Sequence, residues 1–590
     1  MCGIGGEFRF DGTAPDPEAV RRMLPCLASR GPDGEGLWTE GPAALGHRRL
    51  AIIDLSAEGA QPMVDDELGL AMVFNGCVYN YRELREELSA AGYRFRSTSD
   101  TEVIMKAYHR WGVRCVERFY GMFAFAIVER GSGTLVLGRD RLGIKPLYYA
   151  ETPHGLRFSS TLPALLAAGG VDTELDPVAL HHYMTFHSVV PAPRTILRGV
   201  RKLPPATVRV ITADGRHTDT VYWRPSHTRT SVLTPEEWQG ELMTRLRTAV
   251  ARRMVADVPV GVLLSGGLDS SLIVSLLAEQ GQTGLTTFSI GFESAGGESG
   301  DEFAYSDLMA SRFGTSHHKI MIGADRFLPA VHDAIGAMSE PMVSHDCVAF
   351  FLLSQEVARH IKVVQSGQGA DEILAGYDWY PPLAGVPRAD AAEAYARVFF
   401  DRRHDALRDQ LSPEWALDRD ASFEFVAAHF AAPGADTALD AALRLDSTVM
   451  LVDDPVKRVD NMTMAWGLEA RVPFLDHEVV ELAAAMPPEI KLAAGGKGVL
   501  KAAARGVVPD EVIDRTKGYF PVPAIRHLSG PLLDDVRDAL SSSAARRRGL
   551  FRKEYVTDLL DAPNATRTTL GSNALWQLGL LELWLQRIGV

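Results

Sequence analysis

Apolar residues in the first 200 positions fall into short blocks divided by Gly- and Pro-bearing turns. Leu70–Phe74, Ala124–Val128, Leu135–Leu137 and Leu147–Tyr149 read as strands of this kind. Two stretches switch to helical spacing. One runs from Tyr81 to about Ala90 and ends before Gly92; the other is Asp100–Trp111, stopped by Gly112. Many strands with few helices predict an α+β layered unit. Residues 201–235 carry several prolines and no sustained period, so they read as its last strands plus a connector.

The second half has a different texture. A helix over Pro235–Met254 leads into Val258–Leu264, an unbroken apolar run typical of a buried parallel strand. A glycine turn, an apolar helix at Ser271–Glu279 and a second strand at Thr286–Phe292 follow. A further strand, Ile361–Gln365, precedes another glycine turn, and Ala-rich stretches at 389–445 and 476–505 read as helices. Alternation of strand and helix predicts a doubly wound parallel sheet with its ligand at the carboxyl ends of the strands. The chain carries no internal repeat and no low-complexity tract.

Composition narrows the class. The 590 residues are 46% hydrophobic and 23% charged, ordinary for a globular protein of several domain-equivalents. A net charge of −14 repels phosphate backbones and argues against nucleic acid as the main partner. Five cysteines are no disulfide framework and fit a reducing cytoplasm. No run reaches 18 apolar residues, and the start, Met-Cys-Gly-Ile-Gly-Gly-Glu, has neither basic flank nor apolar core, so neither a membrane span nor a secretory signal is expected.

Three segments carry candidate chemistry. Ser265-Gly266-Gly267-Leu268-Asp269-Ser270-Ser271 lies between a predicted strand and a predicted helix. Its glycines let backbone N–H groups approach phosphate oxygens, and the helix adds its unpaired N–H groups. Asp269 can hold Mg²⁺ against the phosphates. No lysine closes the loop, so it is not the Gly-x4-Gly-Lys-Ser/Thr type. The plain alternative is a strand–helix turn with no ligand. Ser366-Gly367-Gln368-Gly369-Ala370-Asp371-Glu372 follows another predicted strand, and its acidic pair could complete a magnesium site. Cys2, if Met1 is removed, carries a thiol beside a free α-amine that can act as its base; the plain alternative is a small apolar residue starting a strand. Further along the sequence, Arg48-Arg49 offers a guanidinium that can grip a carboxylate, Asn75 and Gly76 supply oxyanion donors, and Asp100 can meet an α-ammonium, a set suited to glutamine hydrolysis.

Met1-Cys2-Gly3-Ile4, Arg30-Gly31-Pro32-Asp33, Asn75-Gly76, Ser99-Asp100 and Gly138-Arg139-Asp140-x-x-Gly143 resemble class II glutamine amidotransferases. Ser265–Ser271, Ser366–Glu372 and Gly467–Asp476 resemble the synthetase half of asparagine synthetase, in the expected order. The resemblance implies an αββα N-terminal-nucleophile sandwich at 2–215 and an adenylating ATP pyrophosphatase unit at 236–590, with ammonia passing between them. By motif position, Cys2 is the nucleophile, Asn75 and Gly76 the oxyanion hole, and Arg49 and Asp100, with Asn75 and Gly76, the glutamine site. Leu264, Ser265, Gly266, Gly267, Leu268, Asp269, Ser270, Ile290, Ser366 and Gly367 fall to ATP, Asp269 and Asp371 to Mg²⁺, and Lys497 to the adenylated intermediate. The implied partners are small molecules (glutamine, ATP and an acceptor carboxylate), and a homodimer is left open.

Three departures concern the acceptor and the glutamine pocket. Cys77 follows Gly76 where asparagine synthetases read Asn-Gly-Glu; Gln368 replaces the glutamate of Ser-Gly-Glu-Gly; and Ser344-His345-Asp346 stands where Asp-Pro-Ser is usual. With the run Phe74–Arg82, these features resemble N-acetylglutaminylglutamine amidotransferases, which amidate a blocked dipeptide to make an osmoprotectant. L-Aspartate is the alternative acceptor. Retention of Cys2 argues against a β-lactam-forming cyclase of the same fold, and Cys2 with Asp269 against a silent glutamine or ATP sensor. His317-His318 has no third metal ligand at recognisable spacing. Cys26, Cys115 and Cys347 read as buried apolar residues, and Glu469, Arg471 and Asp476 as either a structural charge cluster or substrate contacts.

Overall fold

Period-2 blocks in the first half pair into two sheets. The computed structural model describes residues 2–229, 232–292, 301–344, 346–515 and 527–590. The strands are β1 (Gly3–Arg9), β2 (Gly34–Glu40), β3 (Ala43–Arg49), β4 (Met63–Asp65), β5 (Leu70–Val78), β6 (Gly121–Glu129), β7 (Thr134–Arg139), β8 (Tyr148–Thr152), β9 (Gly155–Ser159), β10 (Arg201–Lys202), β11 (Thr207–Ile211) and β12 (His217–Val221). They form two six-stranded sheets, ordered β10-β8-β9-β1-β3-β2 and β12-β11-β7-β6-β5-β4. Ile4, Phe8, Leu45 and Phe158 of the first face Val73, Ala126 and Leu137 of the second in one apolar layer. Helices α1 (Pro17–Cys26), α4 (Leu162–Ala168) and α5 (Pro177–Thr185) cover the first sheet, while α2 (Tyr81–Ala90) and α3 (Asp100–Trp111) cover the second. The result is the four-layered αββα unit that the resemblance implies. Helix α3 ends at Gly112, in the left-handed region at φ 60°.

After α6 (Pro235–Arg252) comes a five-stranded, all-parallel sheet, ordered β15-β14-β13-β16-β17. Its strands are β13 (Val260–Leu263), β14 (Thr286–Phe292), β15 (Ser316–Ile322), β16 (Val363–Gln365) and β17 (Glu469–Arg471). The chain crosses from β13 to β14 on one side and returns to β16 on the other. The loops after β13 and β16 are therefore neighbours at the switch of strand order, where ligands bind. Strand β17 has no strand-like composition; it exists because Glu469 pairs with Val363 and Arg471 with Gln365. Helix α7 spans Leu268–Glu279, three residues earlier than its sequence suggests, so Leu268, Asp269 and Ser270 form its first turn. Both nitrogens of His317 are spent on Thr287 and Ser289 hydroxyls, at 2.9 and 3.1 Å. Cys115 and Cys347 are buried, but Cys26 is exposed because the last turn of α1 points it outward. His345 lies outside the described residues. Among the described residues no helix is long and apolar enough to cross a membrane.

The two halves meet on a helical run over 438–464. It passes through two π-helical turns, Asp446–Met450 and Val452–Val456, the second holding Pro455. Wide turns of this kind accommodate a residue that lacks an N–H and re-aim the side chains beyond them. From this run Asp460 reaches Arg30 of the first half at 2.8 and 3.2 Å, and Lys145 at 3.0 Å. Asp453 and Glu340 receive Lys202 at 2.7 and 2.9 Å. All these side chains are buried. Burial alone would raise the Asp460 carboxyl, but Arg30 and Lys145 hold it below its usual range.

Replacing Asp460 removes the carboxylate that two buried cations, Arg30 and Lys145, share. Asp460→Asn is expected to lose about 3–5 kcal/mol in denaturant unfolding. Because the carboxyl is depressed in the fold, its stabilisation is full above the unfolded value of about 3.9 and disappears as the pH falls further. The gap between wild type and variant should therefore be constant from pH 7 to 5 and close below pH 4. A gap that persists unchanged in acid would remove the ion pairs as its cause.

Candidate active site

The first cavity sits where β1, β3 and β5 end against α3. Cys2 precedes β1, Asn75 and Gly76 lie on β5, and Asp100 is the first residue of α3. Cys2, Gly76 and Asp100 line a cavity of about 30 Å³ together with Arg49 and Glu469; Asn75 does not line it but is bonded to Cys2 beside it. The Cys2 nitrogen donates to Asn75 Oδ1 at 3.0 Å. That fixes the amide and leaves Asn75 Nδ2 buried with no acceptor among the described residues. An unpaired buried donor is costly unless something is received there. Gly76 allows the close approach of β6: a Cβ at 76 would lie 2.2 Å from the Met122 carbonyl oxygen. The Cys2 carbonyl accepts from Arg30 Nε at 3.2 Å, so the cavity floor is tied to the inter-half ion pairs. Burial pushes the Cys2 thiol up, opposed by the Leu50 backbone and the Arg49 charge.

Two carboxylates face this cavity. Asp100 accepts from the Val78 N–H at 3.1 Å, yet burial, aided by Glu469, raises it to about 6. Glu469 is also buried, but cationic neighbours including Arg471 hold it down to about 2. Sequence reasoning left Glu469 out of the site, although it stood in the Gly467–Asp476 segment. Cys77 lies under Arg471, with Sγ 3.8 Å from Nη2, and burial pushes its thiol far up, so it is neutral. Arg49 lines the cavity, but its fork is turned onto its own loop: Nη1 donates to the Ser56 carbonyl at 2.8 Å and Nη2 to that of Asp54. Asp476 is structural, capping the helix His477–Ala485 and pairing with Arg253 at 2.9 Å.

The second cavity, about 440 Å³, opens at the switch point and is of ligand-binding size. Leu264, Ser265, Gly267, Leu268, Asp269 and Ser270 line it from the β13 side, with Ile290 of β14 beside them. Ser366, Gly367 and Asp371 line it from the β16 side, and Lys497 closes it. The first turn of α7 has Gly267 as its cap, which has no side chain to take up the first N–H groups of the helix, a form suited to an anion. Gly266 departs from the expected set. It does not line the cavity; at φ +76° its place is set by close packing, since a Cβ there would stand 2.8 Å from Tyr305 Cβ. Arg458, Lys501 and Arg515 also line the cavity and were not singled out by motif.

Asp269 Oδ2 and Asp371 Oδ1 converge on Lys497 Nζ at 2.7 and 2.8 Å. Burial opposes the charge on Lys497, but the two carboxylates raise its ammonium above the usual lysine range. Glu372 is not part of this group. It accepts from Tyr377 Oη at 2.7 Å and is raised to about 7 by burial and by Asp371. An oxygen-only pair already gathered around a cation fits Mg²⁺. Asp269 and Asp371 are the residues that would hold it.

A sandwich with a cysteine cavity is joined in one chain to a parallel sheet whose switch-point cavity carries an anion-type loop. Matches to known families agree: residues 1–223 match the glutamine amidotransferase domain, and residues 241–586 match asparagine synthase. The chain belongs to the asparagine synthase family and is a glutamine-dependent carbon–nitrogen ligase. It is 31% identical to asparagine synthetase [glutamine-hydrolyzing] 1 of Bacillus subtilis, covering 99% of this chain and 96% of that one. It is 32% identical to a putative asparagine synthetase [glutamine-hydrolyzing] of Mycobacterium tuberculosis (strain ATCC 25618 / H37Rv), covering 99% and 97%. Amidase chry2 of Gibberella zeae is 25% identical, covering 100% and 99%.

Lys497→Met leaves Asp269 and Asp371 facing each other without their shared cation. The variant is expected to melt at a lower temperature than wild type, and millimolar Mg²⁺ should restore part of the difference. In Lys497→Met/Asp269→Asn the repulsion is relieved and Mg²⁺ should have no effect. Equal Mg²⁺ stabilisation of both variants would place the ion elsewhere.

Proposed function

We propose that residues 2–215 hydrolyse glutamine and residues 236–590 use the released ammonia to amidate an adenylated carboxylate, giving AMP and pyrophosphate. The observation that carries the first half is Asn75, whose Oδ1 is held by the Cys2 nitrogen while Nδ2 is buried with no acceptor among the described residues. With Met1 removed, the α-amine of Cys2 takes the thiol proton and Sγ attacks the glutamine side-chain amide. Asn75 Nδ2 and the Gly76 N–H receive the oxyanion. Asp100 meets the substrate ammonium, and Arg49, once released from its loop, the carboxylate. Ammonia leaves, and water hydrolyses the thioester.

In the second centre, the ATP phosphates lie on the first turn of α7 and the 265–270 loop, with Ile290, Ser366 and Gly367 at the nucleotide. The acceptor carboxylate attacks the α-phosphate, pyrophosphate departs, and ammonia displaces AMP. When bound, Mg²⁺ supplies positive charge to the departing pyrophosphate. Lys497 is placed to hold negative charge on the phosphates or on the adenylated intermediate.

For the acceptor we favour N-acetylglutaminylglutamine. Gln368 lines the cavity as a neutral amide where asparagine synthetases carry a glutamate. An acylated N-terminus brings no ammonium that needs a carboxylate partner. A second reading, L-aspartate, is supported by Asp346 and Asp378, two acidic residues that line the same cavity.

Cys2→Ala is expected to abolish glutamine-dependent amide formation and leave ammonia-dependent formation largely intact. Equal loss of both in a folded variant would end the two-centre reading. The acceptor is tested with ammonia as donor, which bypasses the glutamine pocket. kcat/KM for N-acetylglutaminylglutamine should exceed that for aspartate by roughly ten- to hundredfold, the worth of a charged hydrogen bond of about 1.5–3 kcal/mol. An advantage of tenfold or more for aspartate makes the protein an asparagine synthetase.

A further inference from the structure

Away from both cavities, helix α5 of the first half packs against the helical layer of the second. Its His181 is buried, with Nε2 3.0 Å from His404 Nδ1 and 3.9 Å from Asp420 Oδ1. Candidate ligand atoms from the three residues all lie within 4.8 Å of one another. We propose that His181, His404 and Asp420 form a binding site for a transition-metal ion of the zinc type, which clips the two halves together.

The donor set is right for such an ion: two imidazoles and a carboxylate suit Zn²⁺, with one position left for solvent. Nitrogens about 2.0–2.1 Å from one tetrahedral zinc stand about 3.3 Å apart, close to the separation found here. The surroundings also order the ligands. His181 Nδ1 lies 2.7 Å from Ser422 Oγ, and His182 Nδ1 lies 3.0 Å from the same oxygen. A hydroxyl has one proton, so this chain of contacts allows two arrangements. In one, His181 Nδ1–H donates to Ser422, Ser422 donates to His182, and the His181 Nε2 lone pair faces His404. That is the outer-shell bond by which metal-bound histidines are oriented. Asp420 is held by its own helix: Oδ1 accepts from the Phe423 N–H at 2.9 Å. His404 and Asp420 are half-exposed, which gives the ion a way in.

The site lies on the fold without belonging to the chemistry. His181 comes from the glutaminase half, whereas His404 opens the helix His404–Gln410 and Asp420 caps Ala421–Ala431. An ion there would add a link between halves that also meet through the Asp460 and Asp453 ion pairs and through contacts such as Tyr183–Gln577 and His187–Asp401.

The test uses the full chain after exhaustive chelation. Titration with ZnCl₂ in a calorimeter should give one ion per chain, and Zn²⁺ should raise Tm. Co²⁺ should give the visible absorption of a four-coordinate N,O site. His404→Ala, at a half-exposed position, should weaken Zn²⁺ by about a hundredfold or more and remove the Co²⁺ spectrum. Asp420→Asn keeps the helix cap and should also weaken the ion. Cys2→Ala should leave stoichiometry and spectrum unchanged, separating this site from metal taken up by the thiol. Absence of stoichiometric binding, or binding that survives both His404→Ala and Asp420→Asn, overturns the proposal and leaves a hydrogen-bonded histidine pair.

Discussion

The bond between Arg30 and Asp460 is the constraint on which the rest of the molecule rests. Arg30 uses three nitrogens at once: Nε on the Cys2 carbonyl and the two outer nitrogens on Asp460. A guanidinium can do this because its donors are rigidly splayed in one plane; a lysine at 30 could not. The residue that fixes the cysteine is thus the residue that fixes the neighbouring half. Lys145 completes the charge balance around Asp460, so the cluster is stable only when all three elements are in place.

The same economy appears around the first cavity. Cys77 removes a negative charge from β5, and Glu469 of the distant β17 stands in the same cavity. Arg471, fully buried, bonds Glu469 and touches Cys77, and it is itself held by the carbonyls of Arg253 and Val255 at 2.8 Å each. The electrostatics of the first cavity are therefore set largely by a strand of the second half.

Legibility in the sequence followed the range of the interaction. Tyr81–Ala90, Asp100–Trp111 and Thr286–Phe292 were readable to the residue, because apolar spacing and terminal signals are local. The motifs located both cavities for the same reason. What could not be read depends on distant partners. Glu-Ala-Arg becomes β17 only beside β16, and Glu469 enters the cysteine cavity only through that pairing. Leu268–Ser270 looked like loop because their helical state depends on what caps them. The Arg49 fork and the packing of Gly266 against Tyr305 are outcomes that composition does not encode. Cys26 was misjudged on residue type, since burial is decided by helix face.

The two wide turns between Asp446 and Val456 have a consequence for how this chain tolerates change in length. Each π turn accommodates an extra residue without altering the axis of the helix. Everything beyond it is rotated by about 100° relative to an uninterrupted α-helix. Lys457, Arg458 and Asp460 face inward because that phase has been set upstream. Deleting one residue anywhere in 446–456 would preserve helicity and hydrophobic content while turning Asp460 away from Arg30. The segment acts as an angular spacer, and a family member with a one-residue gap there must build its inter-half contact from different side chains.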